Sequence, residues 1–216
     1  MELAIHRLSV LLIDPTMTDQ QFTEEVLFIK SFPIQSLFVL PYNIIRAKQL
    51  LAGSAIQIAS FVDFPLGNGT VAKKSFETGQ LYREGAANLF VSLSKRQIEE
   101  VHHETYQRLE QLSFGHHPMG LFLNTSQMHE KQKKEFASLL FGLNPTKLLL
   151  GNELTVEQAL ADMSIFSTAK RKHTKIQVNV KAPTLLELEL LFQAGAAHIG
   201  ISNGRKILSL TVEEDE

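Results

Sequence analysis

The sequence contains no cysteine and no tryptophan. Without thiols the chain cannot form disulfides, thiolate metal sites or a cysteine nucleophile, so any catalysis must use other groups. Long apolar runs are also missing, because the first run, residues 8–13, is too short for a membrane span or a signal-peptide core. These absences predict a cytoplasmic protein that does not associate with membranes.

A surplus of positive charge is missing as well. The 21 basic residues are outnumbered by 23 acidic ones, which gives a net charge of −2. A chain with this balance has no global positive field to hold a polyanion, so nucleic acid is not an expected partner. The hydrophobic fraction of 44% and the charged fraction of 20% are ordinary for a globular protein.

Short β-type runs recur along the chain about every 27 residues, which leaves room for one strand, one helix and two short loops. A repeated βα unit of this length is typical of an α/β fold with a parallel sheet. The eight runs span residues 8–13, 35–40, 56–62, 88–93, 119–123, 146–150, 176–180 and 198–201.

Helix signals stand between these runs. Four hydroxyl residues are followed three positions later by Gln or Glu, which is the spacing of the capping box that begins a helix. Gly85, Gly142 and Gly195 stand where helices are expected to end, because glycine adopts the left-handed conformation without a side-chain penalty. The four pairs are Thr18 with Gln21, Ser94 with Gln97, Thr155 with Gln158, and Thr184 with Glu187.

An internal repeat favours a closed barrel. Residues 85–92 resemble residues 195–202, and both segments begin Gly-Ala-Ala. They belong to the fourth and eighth units, which lie opposite each other in an eight-fold ring. The sequence therefore predicts a (β/α)8 TIM barrel in one domain over residues 1–210, followed by an acidic tail at 211–216. A doubly wound open sheet is the alternative.

Two features follow the last strands, at the end where the loops of such a barrel form the functional face. Ser202, Asn203 and Gly204 form a small loop before a short helix, and the backbone N–H groups of such a loop suit a phosphate. A plain C-terminal turn is the alternative. Lys181 ends the seventh strand, where partial desolvation favours a free amine that attacks a carbonyl. The alternative there is a solvated strand end.

Histidine pairs and a glycine-rich loop give weaker signals. His116 and His117 lie in a helix-to-strand loop, and His102 and His103 diverge on a helix, so no metal site is expected. Residues 67–72 match the loose Gly-x-Gly-x-x-Ala dinucleotide pattern, but at the third strand and without the acid that would bind a ribose. A tight loop is the preferred interpretation, and no cofactor is expected.

The chain also resembles the deoxyribose-phosphate aldolase family over most of its length. The Phe-Pro-x-Gly motif at residues 64–67 is moderately specific, and the order of the matches carries more weight than any single one. The matching positions are Asp14, Thr16, residues 36–41, Ala47, residues 50–51, 53–54 and 60–67, Lys74, Glu77, and residues 85–86, 193–196 and 200–204.

The resemblance implies a class I aldolase that makes or breaks an aldol bond through a Schiff base on a strand-six lysine. A second lysine on strand seven and a relay aspartate on strand four would assist it, and no metal or organic cofactor would be required. The implied ligand is a small phosphorylated sugar or aldehyde. Lys181 matches the second lysine, and Asp14 is a candidate for proton handling. Ser202, Asn203 and Gly204 match the phosphate loop. A symmetric homodimer is the ordinary expectation for a soluble enzyme.

The identity of the nucleophile depends on the register of strand six. Alignment on Gly142 and Gly151 places Lys147 at the nucleophile position. If instead the apolar run after Lys147 forms the upper part of the strand, Leu149 takes that position and Lys147 lies about 6 to 7 Å deeper. We adopt the glycine register, which predicts that Lys147 and Lys181 lie within roughly 3 to 6 Å of each other at the strand carboxyl ends.

Several positions depart from the family pattern. Phe90 stands in place of the relay aspartate, so a Schiff base would lack a positioned carboxylate. Asn124 replaces the acid after strand five, and leucines replace a hydroxyl-rich run at residues 148–150. The alternative function is therefore a catalytically degenerate barrel that serves as a ligand-binding or interaction protein.

Overall fold

Eight short segments form parallel strands that close into a barrel in the computed structural model, which describes residues 4–99, 104–112, 119–170 and 172–213. Each strand pairs with its neighbours in chain order, and β8 pairs with β1 to close the ring. The predicted (β/α)8 TIM barrel is therefore confirmed, and the open-sheet alternative is wrong. The strands are β1 (Leu8–Leu12), β2 (Ser36–Val39), β3 (Gln57–Val62), β4 (Asn88–Ser92), β5 (Gly120–Leu123), β6 (Lys147–Leu154), β7 (Lys175–Val180) and β8 (His198–Ile201).

Helices cover the outside of the barrel, and all four predicted capping boxes form. In each, the hydroxyl oxygen accepts the backbone N–H three residues later, and the side chain of that later residue accepts the first residue's N–H. The helices of the described residues are α1 (Asp19–Ile29), α2 (Ile44–Leu50), α3 (Val71–Glu84), α4 (Lys95–Glu99), α5 (Glu104–Leu112), α6 (Glu130–Leu143), α7 (Val156–Ala169), α8 (Leu185–Gln193) and α9 (Gly204–Glu213).

Two of the three predicted glycine stops are confirmed. Gly85 ends α3 with a φ of 118°, and Gly195 follows α8 with a φ of 99°. The prediction for Gly142 is wrong, because this residue lies inside α6. Asn144 takes the left-handed position after that helix with a φ of 52°, and asparagine is one of the side chains that tolerates this conformation.

The two copies of the internal repeat have the same local structure at the start of β4 and of β8. The N–H of Ala87 donates to the carbonyl of Ile58, and the N–H of Ala197 donates to the carbonyl of Ile176, each at 2.7 Å. Each bond ties the start of a strand to the preceding strand. Because β4 and β8 lie four places apart in a ring of eight, the two repeats stand on opposite sides of the barrel, as predicted.

The core has two layers because side chains alternate between the two faces of each strand. On β4, Leu89 and Val91 pack against the helices, whereas Phe90 points to the barrel axis. The outer layer is large and aliphatic, and the inner layer is small and aromatic. The inner layer determines what chemistry the barrel can hold.

The last helix extends into the region predicted to be a tail. Residues 211–213 belong to α9, and residues 214–216 lie outside the described part of the chain. None of the described helices combines the length and hydropathy that a membrane-spanning segment requires.

Candidate functional site

The barrel axis is filled by a cluster that we call the aromatic plug. Its neighbouring rings lie between 4.6 Å and 5.5 Å apart, from centroid to centroid. The plug separates two openings of the barrel, the carboxyl mouth at the strand ends and the amino mouth at the strand starts. Its members are Leu11, Phe38, Ala59, Phe61, Phe90, Phe122 and Leu149, with Ile13 and Phe64 packed against them.

Phe90 and Leu149 lie within the plug; the resemblance implies the relay position for Phe90 and, in the alternative register, the nucleophile position for Leu149. Phe90 is 4% exposed, and its ring lies 5.5 Å from that of Phe38. Leu149 is completely buried and is paired with Phe122 on one side and Gln177 on the other. Neither Phe90 nor Leu149 can transfer a proton or attack a carbonyl. The barrel interior therefore lacks the groups that Schiff-base chemistry needs at these positions.

Lys147 lies at the amino mouth. It is the first residue of β6 and pairs with Lys175, the first residue of β7. Its Nζ donates a hydrogen bond to Oδ1 of Asn88, the first residue of β4. Burial lowers the pKa of Lys147, and the charge of Lys175 lowers it further. Lys147 thus lies at the start of the strand, two residues before Leu149, which is the depth that the alternative register predicts.

Lys181 lies at the opposite end of the same pair of strands. It follows β7, and its backbone N–H donates to the carbonyl of Leu154 at the end of β6. Its side chain is 71% exposed, and Nζ lies 4.0 Å from Oε2 of Glu153. The expectation that Lys147 and Lys181 converge is therefore wrong, because one begins its strand and the other follows the end of its strand.

The end of β6 contains a bulge that the sequence pattern did not reveal. The pairing with β7 shifts between Leu150 and Leu154, and both Gly151 and Glu153 have positive φ values, 74° and 57°. The bulge brings Asn152 and Glu153 into the lining of the carboxyl mouth. A glycine followed by polar residues at the end of an apolar run was the available signal for this feature.

A cleft of about 440 Å³ opens at the carboxyl mouth, and polar side chains form one side of it. They are Asp14, Asn152, Glu153 and Ser202. Oδ1 of Asp14 accepts the hydroxyl of Thr16 at 2.7 Å and its backbone N–H at 2.8 Å. These bonds, the hydroxyl first, lower the pKa of Asp14. Asp14 is therefore an ionised acceptor near neutral pH rather than a proton donor.

The predicted phosphate loop lines a second cleft of about 410 Å³, which shares lining residues with the first. The Oγ of Ser202 is buried and has no hydrogen-bond partner among the described residues. The carbonyl of Asn203 accepts the N–H of Ile207 at 3.2 Å, so α9 begins directly at this loop. A β-carbon on Gly204 would lie 2.5 Å from Val10, which means that glycine lets the helix pack closely against β1. The loop therefore combines an unsatisfied hydroxyl with the amino end of a helix.

Arg205, the first cation after the loop, is already engaged. Its Nε donates to Oε1 of Glu25 at 2.7 Å, and its guanidinium lies 4.3 Å from the ring centroid of Phe28. Arg205 therefore ties α9 to α1, and both it and its partner Glu25 line the second cleft.

The glycine-rich loop after β3 surrounds a carboxylate of its own chain. Oδ2 of Asp63 accepts the N–H of Gly69 at 2.6 Å, and the same carboxylate pairs with Lys73 and Lys74. Lys74 is fully buried and also donates to the carbonyl of Gly67 at 2.8 Å. Because Asp63 occupies the position that a phosphate would need, this arrangement supports the tight-loop interpretation rather than a nucleotide site. No sequence signal indicated this cluster of Asp63 with Gly69, Lys73 and Lys74, which we call the Asp63 cluster.

Within residues 4–99, 104–112, 119–170 and 172–213, no group of three or more His, Asp and Glu side chains could hold a metal ion. The two histidine pairs considered above lie outside these ranges: His102, His103, His116 and His117.

Sequence comparison connects the chain to one group of enzymes. No protein-family model matches it. It is 25% identical over 199 residues to a deoxyribose-phosphate aldolase from Picosynechococcus sp., with 91% of this chain and 87% of the relative covered. A deoxyribose-phosphate aldolase from Staphylococcus epidermidis is 24% identical over 208 residues, with 91% of each chain covered.

Solved structures share the fold. An aldolase designated QR15 superposes with a TM-score of 0.84 at 16% sequence identity, over 99% of this chain and 98% of its own. A tetrameric deoxyribose-phosphate aldolase from Aeropyrum pernix superposes with a TM-score of 0.79 at 16% identity, over 95% of this chain and 89% of its own. At such identities the structures show the fold alone.

Proposed function

Because the chain is a divergent member of the deoxyribose-phosphate aldolase family, we propose that its carboxyl mouth binds a small phosphorylated sugar or aldehyde without Schiff-base catalysis. The observation that carries this proposal is the aromatic plug, which holds Phe90 where the resemblance implies an aspartate and Leu149 where its alternative register implies a lysine. The protein would then be a catalytically degenerate barrel whose ligand is a small phosphorylated sugar or aldehyde.

Schiff-base chemistry needs an amine and a proton carrier on the same side of the plug. The amine adds to the carbonyl carbon and water leaves, so protons must move at the carbonyl oxygen and the nitrogen. Lys147 is at the amino mouth beside Asn88, where it cannot meet a carbonyl held at the carboxyl mouth. Phe90 offers no proton. Binding is therefore better supported than turnover.

The phosphate would bind at the loop before α9. Ser202 contributes a buried hydroxyl without a partner in the described structure, and a phosphate oxygen is a strong acceptor for it. The amino end of a helix adds N–H donors and a favourable dipole. Close packing of Gly204 on Val10 holds this helix end against the outer face of β1, next to the carboxyl mouth.

The hydroxyl groups of the ligand would bind at the adjoining cleft. Asp14 and Glu153 line it together with the amide of Asn152. Carboxylates and amide oxygens accept hydrogen bonds from sugar hydroxyls. The two clefts share lining residues, so one molecule of a few carbons can reach both.

A second candidate is an aldolase that forms its Schiff base on Lys181. The names of the curated relatives favour this function. Lys181 stands at the carboxyl mouth, and its Nζ is 4.0 Å from Glu153, which lines the cleft. In this candidate Glu153 would carry the protons.

Binding is tested by calorimetric titration with deoxyribose 5-phosphate. We expect saturable binding to the wild type and an affinity at least roughly tenfold lower for Asn203→Asp, because the new charge faces the phosphate. Asparagine and aspartate are comparable at helix starts, so the variant should fold normally. Gln49→Glu adds the same charge on α2 and should bind like the wild type. Absence of binding to the wild type would overturn the proposal.

Catalysis is tested by borohydride trapping with deoxyribose 5-phosphate and with acetaldehyde, followed by peptide mass spectrometry. We expect no specific adduct, in the wild type or in Lys147→Ala and Lys181→Ala. An adduct on Lys181 that disappears in Lys181→Ala would establish the second candidate and overturn the non-catalytic function. An adduct on Lys147 would contradict both, because that amine lies on the far side of the plug.

A further inference from the structure

The amino mouth of the barrel is an open polar cavity of about 540 Å³. Its lining includes the first residues of several strands, among them Gln57, Asn88, Lys147, Lys175 and His198. Packed side chains that serve stability are the usual content of this end of a TIM barrel. A cavity of this size is instead within the range of small-molecule sites.

The charges in this cavity are all positive. None of the described side chains that line it is acidic. Burial lowers the pKa of Lys147, and Lys175 lowers it further. Burial also lowers the pKa of His198, followed by the charges of Lys175, Arg7 and Lys147. No carboxylate among the described lining residues offsets the mutual repulsion of these groups.

Two lysines elsewhere in the chain that are buried or half-buried have a carboxylate partner, whereas the partly buried Lys30 donates to the backbone carbonyls of Leu50 and Ala52. Lys74 is fully buried and pairs with Asp63, and Lys133 pairs with the buried Asp162. Lys147, by contrast, donates to a neutral amide oxygen, Oδ1 of Asn88. Buried cations are seldom left without a compensating charge. Because Lys147, Lys175 and His198 line one open cavity that no carboxylate among the described residues lines, a bound anion would supply the compensating charge at the amino mouth.

His198 supplies a second indication. Its Nδ1 is buried, and the described residues provide it with no hydrogen-bond partner. The amides of Gln57 and Asn88 are already bonded to each other at 2.7 Å, so the polar wall beside the cations is fixed in place. An oxyanion in the cavity would accept hydrogen bonds from the two lysines and from Nδ1 when that nitrogen is protonated.

We propose that the amino mouth binds a small oxyanion with two negative charges, of the phosphate or dicarboxylate class, between Lys147, Lys175 and His198. The site is distinct from the ligand site proposed at the carboxyl mouth, because the aromatic plug lies between them. Lysine ammonium groups bind such anions as point charges, and His198 becomes a donor when it is protonated.

The test follows the ring signals of His198 by NMR during pH titrations in inorganic phosphate, in succinate, and in chloride at matched ionic strength. We expect the apparent pKa of His198 to rise in phosphate, in succinate or in both, relative to chloride. The anion that raises the pKa of His198 identifies the ligand class, phosphate or dicarboxylate. Equal values in all three salts would overturn the proposal.

Variants separate this site from the rest of the molecule. Lys147→Gln with Lys175→Gln should weaken anion binding more than tenfold, and the single exposed variant Lys175→Gln should weaken it less. Lys131→Gln with Lys134→Gln removes the same charge from α6 and should leave binding unchanged.

Asn203→Asp acts only at the carboxyl mouth and should not alter the response of His198. It therefore distinguishes failure of the present proposal from failure of the proposed function. Undiminished binding in a folded Lys147→Gln, Lys175→Gln double variant would contradict the amino-mouth site.

Discussion

The ring of Phe90 on β4 occupies the space that a side chain at Gly120 on β5 would need. A β-carbon built on Gly120 lies 2.4 Å from both Cδ1 and Cε1 of that ring. The two residues are paired across the strands, so the glycine makes room for the ring of Phe90. The packing of the aromatic plug thus requires glycine at position 120 as well as the aromatic rings themselves.

We expect Gly120→Ala to destabilise the protein by about 1 to 3 kcal/mol, because the ring or the strand must move to accommodate the methyl group. Urea unfolding followed by circular dichroism measures this change. Gly79→Ala is the matched control, since a β-carbon in this α3 position meets only Arg83 at 3.8 Å. That control should stabilise the protein by up to about 1 kcal/mol. Equal stability of Gly120→Ala and wild type would mean that the ring has another place to go.

Phe61→Ala should cost about 3 to 5 kcal/mol, which is the usual range for an aromatic side chain removed from a core. Phe61 is 1% exposed, and its ring contacts those of Phe38, Phe64 and Phe122. Phe76→Ala is the comparison, because Phe76 is 72% exposed and its loss should change the unfolding free energy by about 0.5 kcal/mol or less. A small effect at Phe61 would show that the plug is loosely packed.

Asp63→Asn should destabilise the fold by about 3 to 5 kcal/mol, because it leaves the ammonium of Lys74 buried without its counter-charge. Glu130→Gln is the control at an exposed pair with Lys134 and should cost about 0.5 kcal/mol or less. Chemical denaturation of both variants measures the difference. If the two substitutions had the same effect, Lys74 would have to find another partner in the fold.

The Asp63 cluster should also make stability depend on pH in the acid range. Burial raises the pKa of Asp63, but hydrogen bonds from Lys73, Lys74 and the Gly69 N–H outweigh it and lower the pKa below the ordinary 3.8. A carboxyl with a lowered folded-state pKa contributes stability that is complete above its unfolded-state pKa and is lost as the pH falls through the folded-state value.

The difference in unfolding free energy between wild type and Asp63→Asn should therefore stay constant from neutral pH down to about pH 5 and shrink below about pH 4. Denaturation at a series of pH values measures it. A difference that grew as the pH fell would contradict the lowered pKa.

The sequence predicted the fold because the signals that define it are local. Capping boxes such as Thr155 with Gln158 act over three residues, and each strand is a short apolar run. The depth of a residue along the barrel axis, by contrast, is not determined by its neighbours in the sequence. Lys147 and Leu149 have the same alternation and both point inward, so only the pairing of Lys147 with Lys175 decides which one meets the aromatic plug.

The positions of candidate site residues were predictable where those residues come directly after a strand. Asp14 and Ser202 line one cleft as the strand order implied. Glu153 was missed because the β6 bulge depends on positive φ angles that a run of side chains does not reveal. Asp63 was missed because its partners Lys73 and Lys74 come from the next helix.

The aromatic plug closes the barrel axis, so the barrel contains two separate cavities, each open at one mouth, rather than a continuous channel. A molecule that enters either cavity must leave by the opening through which it came. Its residence time is then governed by the side chains of that cavity alone. A ligand at one mouth therefore exchanges with solvent independently of any ligand at the other mouth.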